Sequence, residues 1–293
     1  MTRPAFPARL LRLPGLLLAT LVLLLGCSSL KLGYNNVDEV AYWWLDGYVD
    51  FDSGQRQRVR EDLDSLHRWH RAGELARLEK LVAEFEGLAP ADITHARACA
   101  FAPEIRAAIR RLSEQAEPAL VTLALSMSPE QLQHLQARYS RNNKKFRREW
   151  VELTPGELLD KRFKATLERS ERVYGRLGSP QRAVLRQQLQ DTVFDPRRSL
   201  AGRERRQQET LALLRRLGQQ QGAMAEARVQ VRATLDRVLS PPPEHAAYTE
   251  ALIQENCRVL AATHNSTTPE QRETAVKRLR GWQRDLQDLA ERP

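Results

Sequence analysis

The sequence predicts an all-α protein, an elongated helical bundle or two packed helical subdomains, carried behind an N-terminal leader. Three observations point there. Apolar residues recur at three- and four-residue steps along most of the chain, as in Val59, Leu63, Leu66 and Trp69, or Leu211, Leu214 and Leu217. Strand signals are almost absent, with no long Val/Ile/Thr alternation and no Asn-Gly turn. Helix starts repeat one form: "SPEQ" at Ser128, "TPGE" at Thr154, "SPQR" at Ser179 and "TPEQ" at Thr268. In each, a hydroxyl stands where it can accept a free backbone N–H, and proline follows where its missing N–H has no intrahelical partner. In three of them a Gln or Glu at the fourth place can complete a capping box. "DSGQ" at Asp52 offers the same box without proline.

These punctuation marks set helices near 36–51, 53–86, 91–126 with breaks allowed at Pro103 and Pro118, 129–150, 155–177, 180–192, 196–239, 243–265 and 269–290. "SPPPEH" at Ser240 is the clearest linker, at 240–243, and a further subdivision falls near 126–128. Gly202, Gly218 and Gly222 are places where the long basic helix can be interrupted.

The first 27 residues set the address. Arg3, Arg9 and Arg12 make a positive start, and an apolar run from Leu13 to Leu25 follows. About 13 residues is too short to span a bilayer core as a helix and fits a secretory leader. The run ends Leu24-Leu25-Gly26-Cys27, which resembles the lipobox of bacterial lipoproteins. The resemblance implies a diacylglyceryl group on Cys27, loss of residues 1–26, a tether over 27–35 and a helical body over 36–293. Ser28 in place of Asp implies the outer membrane, with the body on the periplasmic side. The bland alternative is a plain leader with a chance cysteine.

Charge and cysteines narrow the class further. The net charge is +9, and loss of Arg3, Arg9 and Arg12 would leave +6. Residues 28–100 hold 9 basic and 13 acidic groups, and residues 101–293 hold 34 and 24. A basic chain invites a nucleic-acid reading, but an exported one meets no routine nucleic-acid partner. Cys99 and Cys257 remain once Cys27 is taken by lipid. An even pair in an oxidising compartment favours a disulfide; the alternative is two buried thiols packing as small apolar residues.

The order "GYNNVDEVAYWWLDGYVDF", "QRQRV", "LHRWHRAGEL", "RNNKKF" and "ERVYGRLGSPQ" resembles an uncharacterised lipoprotein family, domain-of-unknown-function 6279. That resemblance implies a helical exported protein and supplies no activity. The recurring (S/T)-P-E-Q is also similar to the Leu-Thr-x-x-Gln motif of the Spy and CpxP type of periplasmic chaperone. The chain departs from it: only Leu153-Thr154 keeps Leu-Thr, and there Glu157 stands for Gln.

Candidate sites are few. Asp64, His67 and His70 share a helix face, but nothing supplies a fourth ligand, and no metal or cofactor is implied. The bland reading pairs Asp64 with His67. No nucleophile elbow, phosphate loop or dinucleotide fingerprint occurs. Arg138, Arg141, Lys144, Lys145, Arg147 and Arg148 crowd eleven residues, and Arg197, Arg198, Arg203, Arg205 and Arg206 crowd ten. They form either a surface for anionic headgroups or acidic partners, or a solvated face paired with the acidic N-terminal region. In "AYWWLDGYVDF" the helix wheel sets Val37, Val40, Trp44, Tyr48 and Phe51 on one face as a plug into the core. Trp43, with Tyr42 beside it, is left as a contact for a partner. With no basic residue between Lys31 and Arg56, this stretch does not read as a membrane foot.

Three functions follow: a non-catalytic lipid-anchored interaction or scaffold module, a periplasmic chaperone or envelope-stress factor, and a cell-wall enzyme. A concave apolar surface with a basic rim favours the second, and a deep pocket with convergent carboxylates the third.

Overall fold

The computed structural model describes residues 29–219, 224–240 and 242–291. The leader, Cys27, Gly222 and Pro241 of the linker lie outside them. The chain divides into two units, Met1–Val37 and Asp38–Pro293. In the first, α1 (Ser29–Asn35) is a short helix, and the Asn36 amide donates to the Leu32 carbonyl at its end. Among the described residues there is no strand, and no helix is long and apolar enough to cross a membrane.

The larger unit starts on α2 (Val37–Val49). This helix stops because Asp50 takes φ 57°, a left-handed conformation that Asp tolerates better than most residues. The Phe51 N–H then donates to the Asp46 carboxylate, and the Phe51 ring drops into the core at 1% exposure. Asp52 caps α3 (Ser53–Trp69), which continues through a π turn at His70–Glu74 into α4 (Leu75–Leu88). The widened turn falls where Glu74 is buried, and the Arg111 guanidinium grips that carboxylate with two hydrogen bonds of 2.8 Å.

A loop leads to α5 (His95–Cys99), capped by Thr94, and then to α6 (Phe101–Ser126). The predicted 91–126 helix breaks at Ala100, one turn before Pro103, and not at Pro118. Pro103 sits in the first turn, where its lack of an N–H costs nothing, and α6 runs through Pro118 while packing holds both sides. Ser128 caps α7 (Pro129–Phe146), extended by a second π turn at Arg147–Val151.

The rest of the chain forms α8 (Pro155–Tyr174), α9 (Ser179–Gln190), α10 (Pro196–Gln219), α11 (Met224–Leu239), α12 (Pro243–Asn265) and α13 (Pro269–Glu291). Gly202 does not interrupt α10, but the predicted 196–239 helix is divided, with α10 ending at Gln219, one residue past Gly218. At "SPQR" the cap shifts by one residue. Gly178 occupies it and Ser179 is the first helical residue, because the box is closed by Gln181, whose Oε1 accepts the Gly178 N–H at 2.9 Å.

Two copies of one device organise these helices. Gln55 donates through Nε2 to the Ser126 carbonyl (3.0 Å), and Gln131 donates to the Asp50 carbonyl (2.9 Å). Gln181 donates to the Ser266 carbonyl (3.0 Å), and Gln271 to the Arg176 carbonyl (2.9 Å). Every accepting carbonyl lies two residues before the cap of the opposite helix. Each glutamine uses its oxygen to close its own capping box and its amide N–H to reach across. The agreement extends further: Arg56 and Arg182, each one residue past its glutamine, both return Nε to the carbonyl just before the cap, at 2.8 Å. Thus α2–α3 crossed with α6–α7 repeats as α8–α9 crossed with α12–α13.

Each clasp has its own core. Phe51, Val59, Val121 and Leu135 pack with Leu211, Leu214 and Leu217 of α10 and Val231 of α11. Tyr174, Leu177, Ala275 and Leu279 pack with Val82, Phe85 and Ala89 around α4. Leu185, Leu189 and Val259 bury a third cluster. Cys99 and Cys257 form the expected disulfide, tying α5 to α12 beside Ile93 and Ala261.

Candidate functional site

The aromatic stretch divides differently from the helix wheel. Tyr42 is buried at 3% exposure, beneath the Arg60 guanidinium (3.7 Å) and against Phe51 (ring centroids 5.9 Å). It is core rather than a partner contact. Trp44 is 60% exposed instead of plugging the core. The wheel carried the helix through Phe51, whereas the chain leaves it at Asp50. The face that turns inward is Tyr42, Leu45 and Val49, at steps of three and four. Trp43 stays exposed, as expected for the residue left over, with Tyr42 edge-on to it at 5.4 Å.

Trp44 belongs to a groove of about 380 Å³. Its walls come from four helices: Trp44 and Tyr48 of α2, Leu120 and Leu123 of α6, Tyr139 of α7 and Leu214 of α10. The Trp44 and Tyr48 rings lie 4.7 Å apart, and Tyr48 meets Tyr139 edge-on at 6.2 Å. The Tyr48 hydroxyl accepts a hydrogen bond from Asn142 (2.8 Å), which fixes that ring. Arg203 lines the groove, and Arg138 stands 5.3 Å from the Tyr48 ring centre. Leu120 also ends a stripe of exposed Ile105, Ile109 and Leu112 along α6. Steps of four, three and eight keep these residues on one side over roughly 22 Å of helix. The sequence carries this signal as apolar residues on two sides of α6, one side buried through Val121 and Ala124, the other bare.

The first basic run is spread around its helix. Arg138 is half-buried against Tyr48, Lys145 pairs with Glu149 and Arg147 with Glu204, so its carboxylate partners are not from the acidic N-terminal region. Arg141, Lys144 and Arg148 are exposed and point around the helix. The Asp64, His67 and His70 trio does not converge. Asp64 pairs with Arg68, and His67 faces Asp38 at 3.8 Å. Among the described residues the tightest group of metal-ligand type is His95, Cys99 and Cys257, and there the two sulfurs are bonded to each other.

Three buried glutamates are held by arginines. Glu74 is gripped by Arg111, Glu117 by Arg228 and Arg232, and Glu255 by Arg162 with Thr192 and the Val193 N–H. Hydrogen bonds from these partners keep all three carboxyls below the usual carboxylate range against the opposing effect of burial. They stay ionised and tie helices together. His264 is fully buried between the Tyr174 hydroxyl (2.9 Å, at Nδ1) and the Ala91 carbonyl (2.8 Å, at Nε2). The carbonyl can only accept, which puts the ring proton on Nε2 and leaves Nδ1 to accept from tyrosine.

The fold defines an all-helical protein built on two glutamine clasps, with an apolar groove beside the first. The chain matches the family of unknown function DUF6279 over residues 47–230, well over half its length, and belongs to that family. No curated protein and no solved structure matches it. The stretches that carry the resemblance serve the frame: "GYVDF" and "RLGSPQ" build clasp turns, Asn142 fixes Tyr48, and Asn143 donates to Gln207 at 2.7 Å.

Proposed function

We propose that the chain is an exported, lipid-anchored and non-catalytic interaction module whose groove holds apolar polypeptide segments. One observation carries the reading: Trp44, a large aromatic ring at 60% exposure, borders a groove walled by Tyr48, Leu120, Leu123 and Leu214. Contiguous exposed apolar side chains around a groove often mark a binding face. The occupant that fits is an unfolded client segment bearing acidic residues, since Arg203 and Arg138 stand at the aromatic wall and residues 101–293 carry ten more basic than acidic groups. The Leu24–Cys27 run supports anchoring at the outer membrane. The arginine-bound state of Glu74, Glu117 and Glu255 supports a body without acid–base chemistry, because none is left free to move a proton.

The purified chain should suppress aggregation of a chemically denatured client, and a Trp44→Ser, Leu120→Gln double variant should lose most of that effect while melting normally. No suppression by the native chain at stoichiometric excess would sink the reading.

A further inference from the structure

The second basic run builds a site of a different kind. Between α10 and α12 lies a cavity of about 460 Å³, lined by Arg198, Arg205, Arg206, His245 and Tyr248 with Leu252 among its apolar walls. Arg198 stacks on the Tyr248 ring at 4.3 Å. That ring is fixed in turn: its hydroxyl accepts the Asp195 N–H (2.9 Å) and lies 3.2 Å from Ser199 Oγ. Arg205 is bound to Glu209 through Nη1 (2.8 Å), yet its Nε is buried with no hydrogen-bond partner. Among the described residues, neither Arg198 nor Arg206 pairs with a carboxylate. Burial first, then the neighbouring Arg205 and Arg203, pulls the Arg206 guanidinium below its ordinary pKa. Gly202 faces Arg206 Nη1 and adds no side chain to the cavity.

Clustered guanidiniums with unspent N–H donors, outnumbering the Glu209 carboxylate that holds Arg205, form a receptor for a compact oxyanion, which several planar forks can grip together. The cavity is larger than an inorganic anion, and Leu252 offers an apolar wall to whatever carries the charge. We propose that this cavity binds an anionic phosphoryl group on a larger body, gripped by Arg198, Arg205 and Arg206. A lipid headgroup and a soluble phosphate ester both present that chemistry.

The full chain would be titrated calorimetrically with glycerol 3-phosphate, and its sedimentation measured with phosphatidylcholine vesicles containing or lacking phosphatidylglycerol. Saturable binding of glycerol 3-phosphate alone assigns a soluble ester, and sedimentation only with phosphatidylglycerol assigns a headgroup; either supports the site. Arg206→Gln should weaken the response at least tenfold. Arg141→Gln, an equal charge change on the other basic run, should leave it within twofold. Gly202→Leu, which fills the floor without altering charge, should also abolish it, with helical circular dichroism confirming that both variants fold. Binding to neither probe, or equal losses in the Arg206 and Arg141 variants, would overturn the proposal.

Discussion

Gln55 and Gln131 meet at the centre of the first clasp, with Gln131 Nε2 only 2.6 Å from Gln55 Oε1. Each closes its own helix cap and bonds to backbone on the far side, so one side chain type does two jobs that a carboxylate cannot combine. Gln131→Glu would keep the box and lose the donor. It would also set a carboxylate against the Asp50 carbonyl and the Gln55 oxygen. A loss of about 2–3 kcal/mol is expected, read from urea unfolding. Glu157→Gln, in an exposed box with no crossing partner, should change stability by less than about 0.5 kcal/mol. Equal effects at both positions would remove the clasp from the energetics.

The Cys99–Cys257 bridge closes a sequence separation of 158 residues. Cross-linking a loop of that length stabilises by about 5 kcal/mol in the chain-entropy model, an upper figure. Cys99→Ser should therefore lower the denaturant midpoint clearly, and the native chain should migrate faster without reductant than with it. Unchanged migration, with both thiols open to alkylation, would contradict the bridge.

Stability should depend on pH through the buried histidine. Burial and the nearby Arg272 charge hold His264 below its ordinary pKa against the opposing bond to Ala91. Its folded pKa is thus lower than its unfolded one, so the unfolded chain takes up the proton first as pH falls. Stability should be level above about pH 7 and decline below the unfolded value of about 6.5. His70 and His67, also lowered chiefly by burial, add to the same slope. Melting curves between pH 8 and 5 give the measurement. His264→Gln should flatten part of the decline, and an unaltered slope would place its origin elsewhere.

Cys27→Ala should release the protein from envelope membranes into the soluble fraction. Continued membrane association of that variant would contradict lipid attachment, whatever the groove binds.

The helices were legible because their caps and spacings are local. Ser128, Thr154 and Thr268 stand where the helices begin, and the predicted 129–150 and 269–290 spans start where the structure has them and stop one residue short. The clasps were not, although the signal lies in the residue three past each cap. Glutamine at 55, 131, 181 and 271 can donate across, whereas glutamate at 157 can only accept, and the two look alike to a reader counting caps. The aromatic face was misjudged for a reason equally specific. Asp50 ends the helix by its own dihedral, so Phe51 reaches the core from outside the 3.6-residue period, and counting it on the wheel gives its inward face to Trp44, which is exposed. The groove needed four helices brought together, which no periodicity encodes.

The early helix α4 and the last helix α13 lie side by side. Arg71 donates to the Leu289 carbonyl, Arg280 to Glu86 and Gln287 to Glu79, across about two hundred residues of chain. Polypeptides are made and delivered from the N-terminus. The apolar side of α4, with Val82 and Phe85, therefore lacks part of its cover until α13 has emerged. Shortening the C-terminus by one helix would strip an early helix of its cover, and the waiting interval is when this protein most needs a holder of its own.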